Sequence, residues 1–425
     1  MTIAVQPVSA SPAKAERIIT PAGIEVWHSR SDLVPLVSMA FVFEGGASQD
    51  PHDRPGIAQM VSRLLDEGAG PYDSDAFQEK LADKAIELSF TASQDSLSGG
   101  LKTLLRHLDD AAELTRLAIA EPRFDVDSIE RVRGQVIAGI RYQMNDPGVM
   151  ATQRYFAEGF GGHIYGLPNS GTQESVAAVT RDDLTTMHGR LIARDRLKVA
   201  VVGALGADDV TRLIDGIFGG LPAKSDLTPV PMVTLAGLGT RHVVDLDVPQ
   251  SVIRFGMNGV ARSDPDFTAA FVLNHILGGG AFTSRLFQEV REKRGLAYSV
   301  GTSLASYRAC AMTWGFTATK NERVVEALDV IGSEMARLKA DGPDPDELMK
   351  AKAYLTGSYA LGFDSSTKIA QQLVQIAFEG LGIDYISRRN AMVAAISAED
   401  IARAAERTLG DGRMLVVVAG RPEGL

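Results

Sequence analysis

Seven histidines and one cysteine are the side chains of this sequence that invite a metal or a covalent step. No two of the histidines lie within one helical turn of each other, so no helix offers a paired-imidazole metal face. His52 stands near a helix start and His163 lies in Gly161-Gly162-His163-Ile164-Tyr165-Gly166; both read as loop residues. Cys310, within Tyr307-Arg308-Ala309-Cys310-Ala311-Met312-Thr313-Trp314, has no histidine beside it and reads as a buried thiol on a strand. No G-x-S-x-G elbow is present. Gly278-Gly279-Gly280 follows a helix and lacks the Gly-Lys-Ser/Thr ending of a phosphate loop. On the amphipathic segment Gly56 to Leu65, Gln59, Ser62 and Arg63 share one turn. An amide, a hydroxyl and a guanidinium offer zinc none of the neutral imidazole, thiolate or carboxylate donors it takes.

A second stretch is richer. Leu273 to Val300 reads as a helix ending at a glycine loop, a second helix, a Gly295 C-cap and the start of a strand. Leu286, Phe287 and Val290 form the buried face of the second helix. Arg291 stands on its last turn and opens the run Arg291-Glu292-Lys293-Arg294. Tyr298 follows the Gly295 cap by three residues and alternates with Leu296 and Val300. By pattern alone, the run is a solvated face and the tyrosine a core aromatic.

The elements that position these residues occur twice. Val176 to Leu184 is mirrored by Val393 to Ile401, and Val199 to Gly203 by Val416 to Gly420. In each copy Thr180 or Ser397 is followed three residues later by an aspartate, a capping-box pattern. Phe124 to Ile129 and Pro343 to Leu348 each precede a long helix. The spacing predicts strands at Ile24–Trp27, Val37–Phe43, Val199–Val202, Val252–Met257 and Met414–Val418. It predicts helices at Gly56–Leu65, Asp75–Lys84, Leu101–Ala120, Ser128–Gln143, Phe267–Leu277 and Val324–Lys339. Short turns between strands favour α+β with largely antiparallel sheets. The expected divisions are a flexible tail over 1–16, a first domain over 17–218, a Gly/Pro-rich linker over 219–240 and a second domain over 241–425.

Those residues carry a resemblance. The loop Gly45-Gly46-Ala47-Ser48-Gln49-Asp50-Pro51 with the helix after it, and the stretch Leu273 to Val300, resemble the pitrilysin and mitochondrial processing peptidase family, the inverzincins. The likeness runs from about Arg17 to Val418. It implies two similar α+β domains facing each other across a cleft. Family members with activity of their own carry H-x-x-E-H on the first helix and a glutamate on a later one. Here the matching positions are Gln59, Ser62 and Arg63, then Ala138 beside Gly139, so the resemblance implies a chain that binds no zinc. Arg291 and Tyr298 match a family pair that reaches substrate: the arginine to peptide carbonyls, the tyrosine to the developing oxyanion. Gly278, Gly279, Gly280, Ala281 and Phe282 match a peptide-contacting loop. The implied assembly is a heterodimer in which a sister subunit brings H-x-x-E-H and the zinc. A structural or peptide-binding relative without peptidase activity is the alternative.

The totals narrow the classes. A chain of 425 residues with 45% hydrophobic and 23% charged content has the composition of a globular protein of more than one core. A net charge of −10 argues against a nucleic-acid role. No apolar stretch reaches the ~18 residues of a membrane span. The N-terminus lacks a basic start followed by an apolar run. The expectation is a cytoplasmic protein.

Overall fold

The computed structural model describes residues 14–425, and in it both copies of the repeat build the same sheet. The first half begins with β1 (Glu16–Ile19), β2 (Glu25–Arg30), β3 (Leu36–Glu44), α1 (Ile57–Leu64), α2 (Ser74–Asp83), β4 (Glu87–Ala92) and β5 (Ser96–Leu104). It continues through α3 (Leu108–Ala120), α4 (Val126–Gln143), α5 (Pro147–Phe160), α6 (Gln173–Ala178), α7 (Arg181–Leu191), β6 (Leu197–Gly203) and α8 (Ala207–Phe218). The second half opens with β7 (Arg241–Asp245), β8 (Gln250–Asn258), α9 (Phe267–Asn274), β9 (Val300–Ser306) and β10 (Ala311–Lys320). It closes with α10 (Val324–Asp341), α11 (Pro345–Gly357), α12 (Ser366–Phe378), α13 (Tyr385–Ala395), α14 (Ala398–Leu409) and β11 (Leu415–Gly420). Residues 1–13 of the expected tail lie outside the described residues, and Glu16 is already paired with His28 in β1.

The first sheet has the order β1-β2-β6-β3-β5-β4 and the second β7-β11-β8-β10-β9. Without the added edge strand β1, the two orders are the same. In each, one pair is parallel, β2 with β6 and β7 with β11, and the rest are antiparallel. The repeat extends to single contacts. Gly99 lies opposite Phe41 and Gly315 opposite Phe255, and a Cβ on either glycine would fall 2.1 or 2.2 Å from the opposing ring. Both mirrored capping boxes form, Thr180 with Asp183 at α7 and Ser397 with Asp400 at α14. The fold is α+β, with mixed but mostly antiparallel sheets.

Each sheet is covered on both faces, and one cover comes from the other half. Along β6, Val199 and Val201 enter the core shared with the first half's own helices, whereas Ala200 and Val202 meet Ala370, Leu373 and Ala377 of α12. Along β11, Val416 and Val418 face the second half's helices, whereas Leu415, Val417 and Ala419 meet Ala151 and Tyr155 of α5. A strand alternates its side chains between faces, so a continuous apolar run means burial on both. Helices α5 and α12 follow equivalent helices, α4 and α11, and each crosses to the other sheet.

One predicted helix is corrected. Leu101 to Leu104 belong to β5, not to a helix running to Ala120; Leu101 pairs with Met39 and Leu104 with Leu36. The spacing of Leu101, Leu104, Leu105 and Leu108 is helical, and pairing with the long strand β3 overrides it up to Leu104. Cys310 is buried as expected but sits in the β9–β10 loop, one residue before β10, and burial pushes its thiol up to about 11.

That loop also joins the halves. Asp95 accepts from the Tyr165 hydroxyl at 2.8 Å and from Arg308 N at 2.9 Å, and the same hydroxyl accepts from Ala309 N at 3.0 Å. Burial pushes the Asp95 carboxyl up, and these donors oppose the shift. Tyr165→Phe leaves Ala309 N without a partner and Asp95 one donor short, in a buried place. The expected loss of stability is about 1–3 kcal/mol, read as a lower denaturant midpoint at unchanged slope. An unmoved midpoint would remove the joint from the account.

Candidate functional site

The stretch Leu273 to Val300 folds as its pattern predicts in outline and differs in one detail that matters. The glycine triplet is not a loop. Residues His275–Gly279 continue α9 as a π-helical turn, and Phe287–Glu292 form a second one. Both wide turns are packed against β9 and α10. A Cβ on Gly278 would fall 2.5 Å from Thr302 Oγ1, one on Gly279 2.6 Å from Asn274 Nδ2, and one on Gly280 2.6 Å from the His275 carbonyl. The triplet is therefore glycine because the turn lies against a strand and folds back on itself. Past it, Ala281 and Phe282 are exposed. Gly295 closes the second helix at φ +57, donating to Arg291 O at 2.9 Å. Arg285 ties the segment to α11 through Glu347 at 2.6 Å.

Arg291 and Tyr298 come together here. Leu286, Phe287 and Val290 are buried as expected. The Arg291 guanidinium lies 4.6 Å from the Phe287 ring centre, 4.9 Å from Tyr298 and 6.0 Å from Phe282. Its nearest carboxylate is Glu292, at 3.8 Å. The rest of the charge run is spent locally: Lys293 and Arg294 both bind the buried Glu289, at 2.6 and 2.5 Å. Tyr298 is 85% exposed and sits in the turn before β9, so it is no core aromatic of a strand. Its neighbours Leu296 and Val300 are buried, so the two-residue spacing that predicts one buried face for all three fails at Tyr298, where the chain turns before β9 begins. Phe282, 68% exposed, packs edge-on against Phe287 at 5.0 Å. Sequence reasoning placed Phe287 only in the core and gave Glu289 no part, although its i,i+4 spacing to Lys293 was a signal.

The first half's motif helix has kept its packing face. Ile57, Met60, Val61, Leu64 and Leu65 are buried. With its amide turned to suit both neighbours, Gln59 donates to the carbonyl of Ala92 at the end of β4 and accepts from Arg63 Nε, both at 3.2 Å. Ser62 Oγ donates to Gln59 O at 2.9 Å. Ala138 is exposed on α4, beside Gly139, with no carboxylate at either position. Among the described residues, no group of three or more His, Cys, Asp or Glu side chains could hold a metal ion. The donor set does not fit zinc. Metal analysis of the purified chain is expected to find no stoichiometric zinc. One tightly held zinc per chain, with chelator-sensitive proteolysis, would overturn that.

The fold and this donor set define a zinc-less chain of the pitrilysin-like kind, and comparison with known proteins agrees. Residues 178–355 match the family model described as the peptidase M16 inactive domain. An uncharacterized zinc protease of Mycobacterium leprae is 27% identical over 84% of this chain and 81% of its own length. A Helicobacter pylori relative named non-peptidase homolog YmxG is 24% identical over 86% of this chain and 85% of its own. The crystal structure of a peptidase M16 inactive domain from Pseudomonas fluorescens superposes with a TM-score of 0.90 at 26% identity, covering 96% of this chain and 98% of that one. Residues 178–355 carry the M16 inactive domain, and the similarity to M16 relatives and to their fold extends over most of the chain. Among the described residues, no helix is long and apolar enough to cross a membrane.

Proposed function

We propose that this chain is the non-zinc-binding subunit of a heteromeric zinc metallopeptidase, lending substrate binding and transition-state stabilisation to a site whose zinc a sister subunit holds. The observation that carries the reading is the cluster of Arg291 with the exposed Tyr298 and Phe282. Aromatic and arginine side chains left open together are the composition of an interface waiting for cover. The Arg291 fork binds peptide carbonyl oxygens, held in place by the Phe287 ring beneath it. The Tyr298 hydroxyl donates to the oxygen of the scissile carbonyl as water adds. Ala281 and Phe282 meet the peptide, and Gly278, Gly279 and Gly280 keep the turn close enough to β9 to present them. Gln59, Ser62, Arg63 and Ala138 take no part in chemistry.

The test is co-expression with a sister subunit carrying H-x-x-E-H, followed by peptide cleavage by each chain and by the mixture. Cleavage that needs both chains supports the reading. In that mixture, Arg291→Ala is expected to raise KM more than it lowers kcat, because it removes binding common to ground and transition states. The non-peptidase name of the Helicobacter relative favours a second reading, a structural or peptide-binding protein with no peptidase partner. A mixture no more active than the sister chain alone would decide for it.

A further inference from the structure

The second half contains a cavity of ≈ 470 Å³ at the place equivalent to the first half's motif helix. The buried spacing of α1 (Met60, Val61, Leu64, Leu65) is repeated on α9 and its π-helical turn by Val272, Leu273, Ile276 and Leu277. Phe271 and Asn274 thus occupy the positions of Gln59 and Ser62, and both line the cavity. Each helix also reaches its edge strand, though from different places in the pattern: Gln59 donates to Ala92 O of β4, and Asn274, at the Ser62 position, donates to Thr302 O of β9 at 3.3 Å. Beyond the stretch covered by the π-helical turn, Ser303 and Leu304 of β9 border the same cavity.

The polar groups around it are incomplete. Arg389 is 8% exposed and, among the described residues, has no carboxylate partner. Its Nη1 donates to Leu355 O and Asn390 Oδ1, and among the described residues no acceptor meets Nε or Nη2. Its guanidinium is held against Tyr359 at 4.4 Å and Phe271 at 5.4 Å. Burial lowers its pKa, the sign of a charge short of compensation. The neighbouring Arg262 does not share the need, because Glu379 neutralises it at 2.8 Å. Buried and without any partner are Tyr359 OH, Thr302 Oγ1 and Asn274 Oδ1. Native structures satisfy nearly all such atoms; of these three, Thr302 Oγ1 is covered by Gly278 and Asn274 Oδ1 lacks a donor, which leaves the Tyr359 hydroxyl as the donor short of an acceptor beside Arg389.

We propose that this cavity binds a carboxylate of a peptide. One uncompensated guanidinium matches one negative charge, which favours a carboxylate over a phosphate dianion. A carboxylate accepts from every side, and the Arg389 guanidinium and the Tyr359 hydroxyl have donors to give. The free part of the β9 edge next to it offers backbone groups to an extended chain. The site stands independently of the peptidase reading, because it needs neither a sister subunit nor Tyr298.

The whole chain alone is titrated with fluorescein-labelled hexapeptides by anisotropy. One probe ends in a free carboxylate and is compared with its amide. Another has an internal glutamate and an amidated end, and is compared with its glutamine analogue. At least one acid is expected to bind tenfold or more tighter than its neutral counterpart, and the pair that discriminates names the source of the carboxylate. Arg389→Met should abolish the preference. Tyr359→Phe should weaken the acid about tenfold while the thermal midpoint stays or rises, because the lost hydroxyl has no partner in the free protein. That variant alone decides if Arg389→Met does not fold. Acids that bind no tighter than their neutral counterparts, a preference surviving Arg389→Met, or an affinity unmoved by Tyr359→Phe would each overturn the proposal.

Discussion

Tyr298→Phe is expected to lower the turnover of the mixed complex by roughly 10²–10³-fold, the cost of one oxyanion donor, about 2.7–4 kcal/mol. The size of the effect follows from what the substitution leaves alone. Tyr298 is 85% exposed and its hydroxyl has no hydrogen-bond partner among the described residues, so folding loses nothing with it. The ring stays, and with it the stacking that holds Arg291. Binding of the ground state should change little, so the loss appears in kcat and kcat/KM together. Gel filtration separates this from a failure to assemble: the variant should elute with its sister subunit as the wild type does. Unchanged turnover by an assembled variant would leave Tyr298 as an interface aromatic without chemistry.

How much of this was readable beforehand depends on whether a contact is local. The duplication was visible in Val199–Gly203 against Val416–Gly420 and in the Thr180 and Ser397 caps, because strand and cap signals are carried by neighbouring residues. The lost zinc site was visible because its positions are fixed along one helix turn. Gly295 could be read as a cap from its place after a helix. Two things were hidden. The glycine triplet looked like a loop, because sequence does not distinguish a glycine needed for a turn from one needed for close approach to a distant strand such as Thr302. The cavity around Arg389 has no motif at all. Arg389, Tyr359 and Asn274 come from three separate elements, and an arginine on a helix reads as surface until its carboxylate partner is found missing.

The exchange of α5 and α12 was equally hidden, and it carries the second large prediction. The apolar runs of β6 and β11 announce sheets buried on both faces, but nothing local says which helix covers which. Residues 14–240 produced alone are expected to form no stable monomer. Without α12, the first sheet exposes Trp27, Ala40, Val42, Ala200 and Val202, all buried in the whole chain. At about 1.5–3 kcal/mol for each large apolar side chain, Trp27, Val42 and Val202 alone cost several kcal/mol. That is a large part of the ~5–15 kcal/mol by which a domain is stable. The same fragment carries α5 with Tyr155 and Phe160 uncovered, since their partners Leu415 and Val417 lie in the other half. An open sheet face and an open helix face on one chain favour association between copies. The fragment should therefore elute as aggregate or dimer, and co-expression with residues 241–425 should restore a one-to-one complex. A monomeric fragment that unfolds cooperatively near the midpoint of the whole chain would show the exchanged helices to be packing without consequence. Short of that result, the two halves are one folding unit, because each supplies the helix that covers a face of the other's sheet.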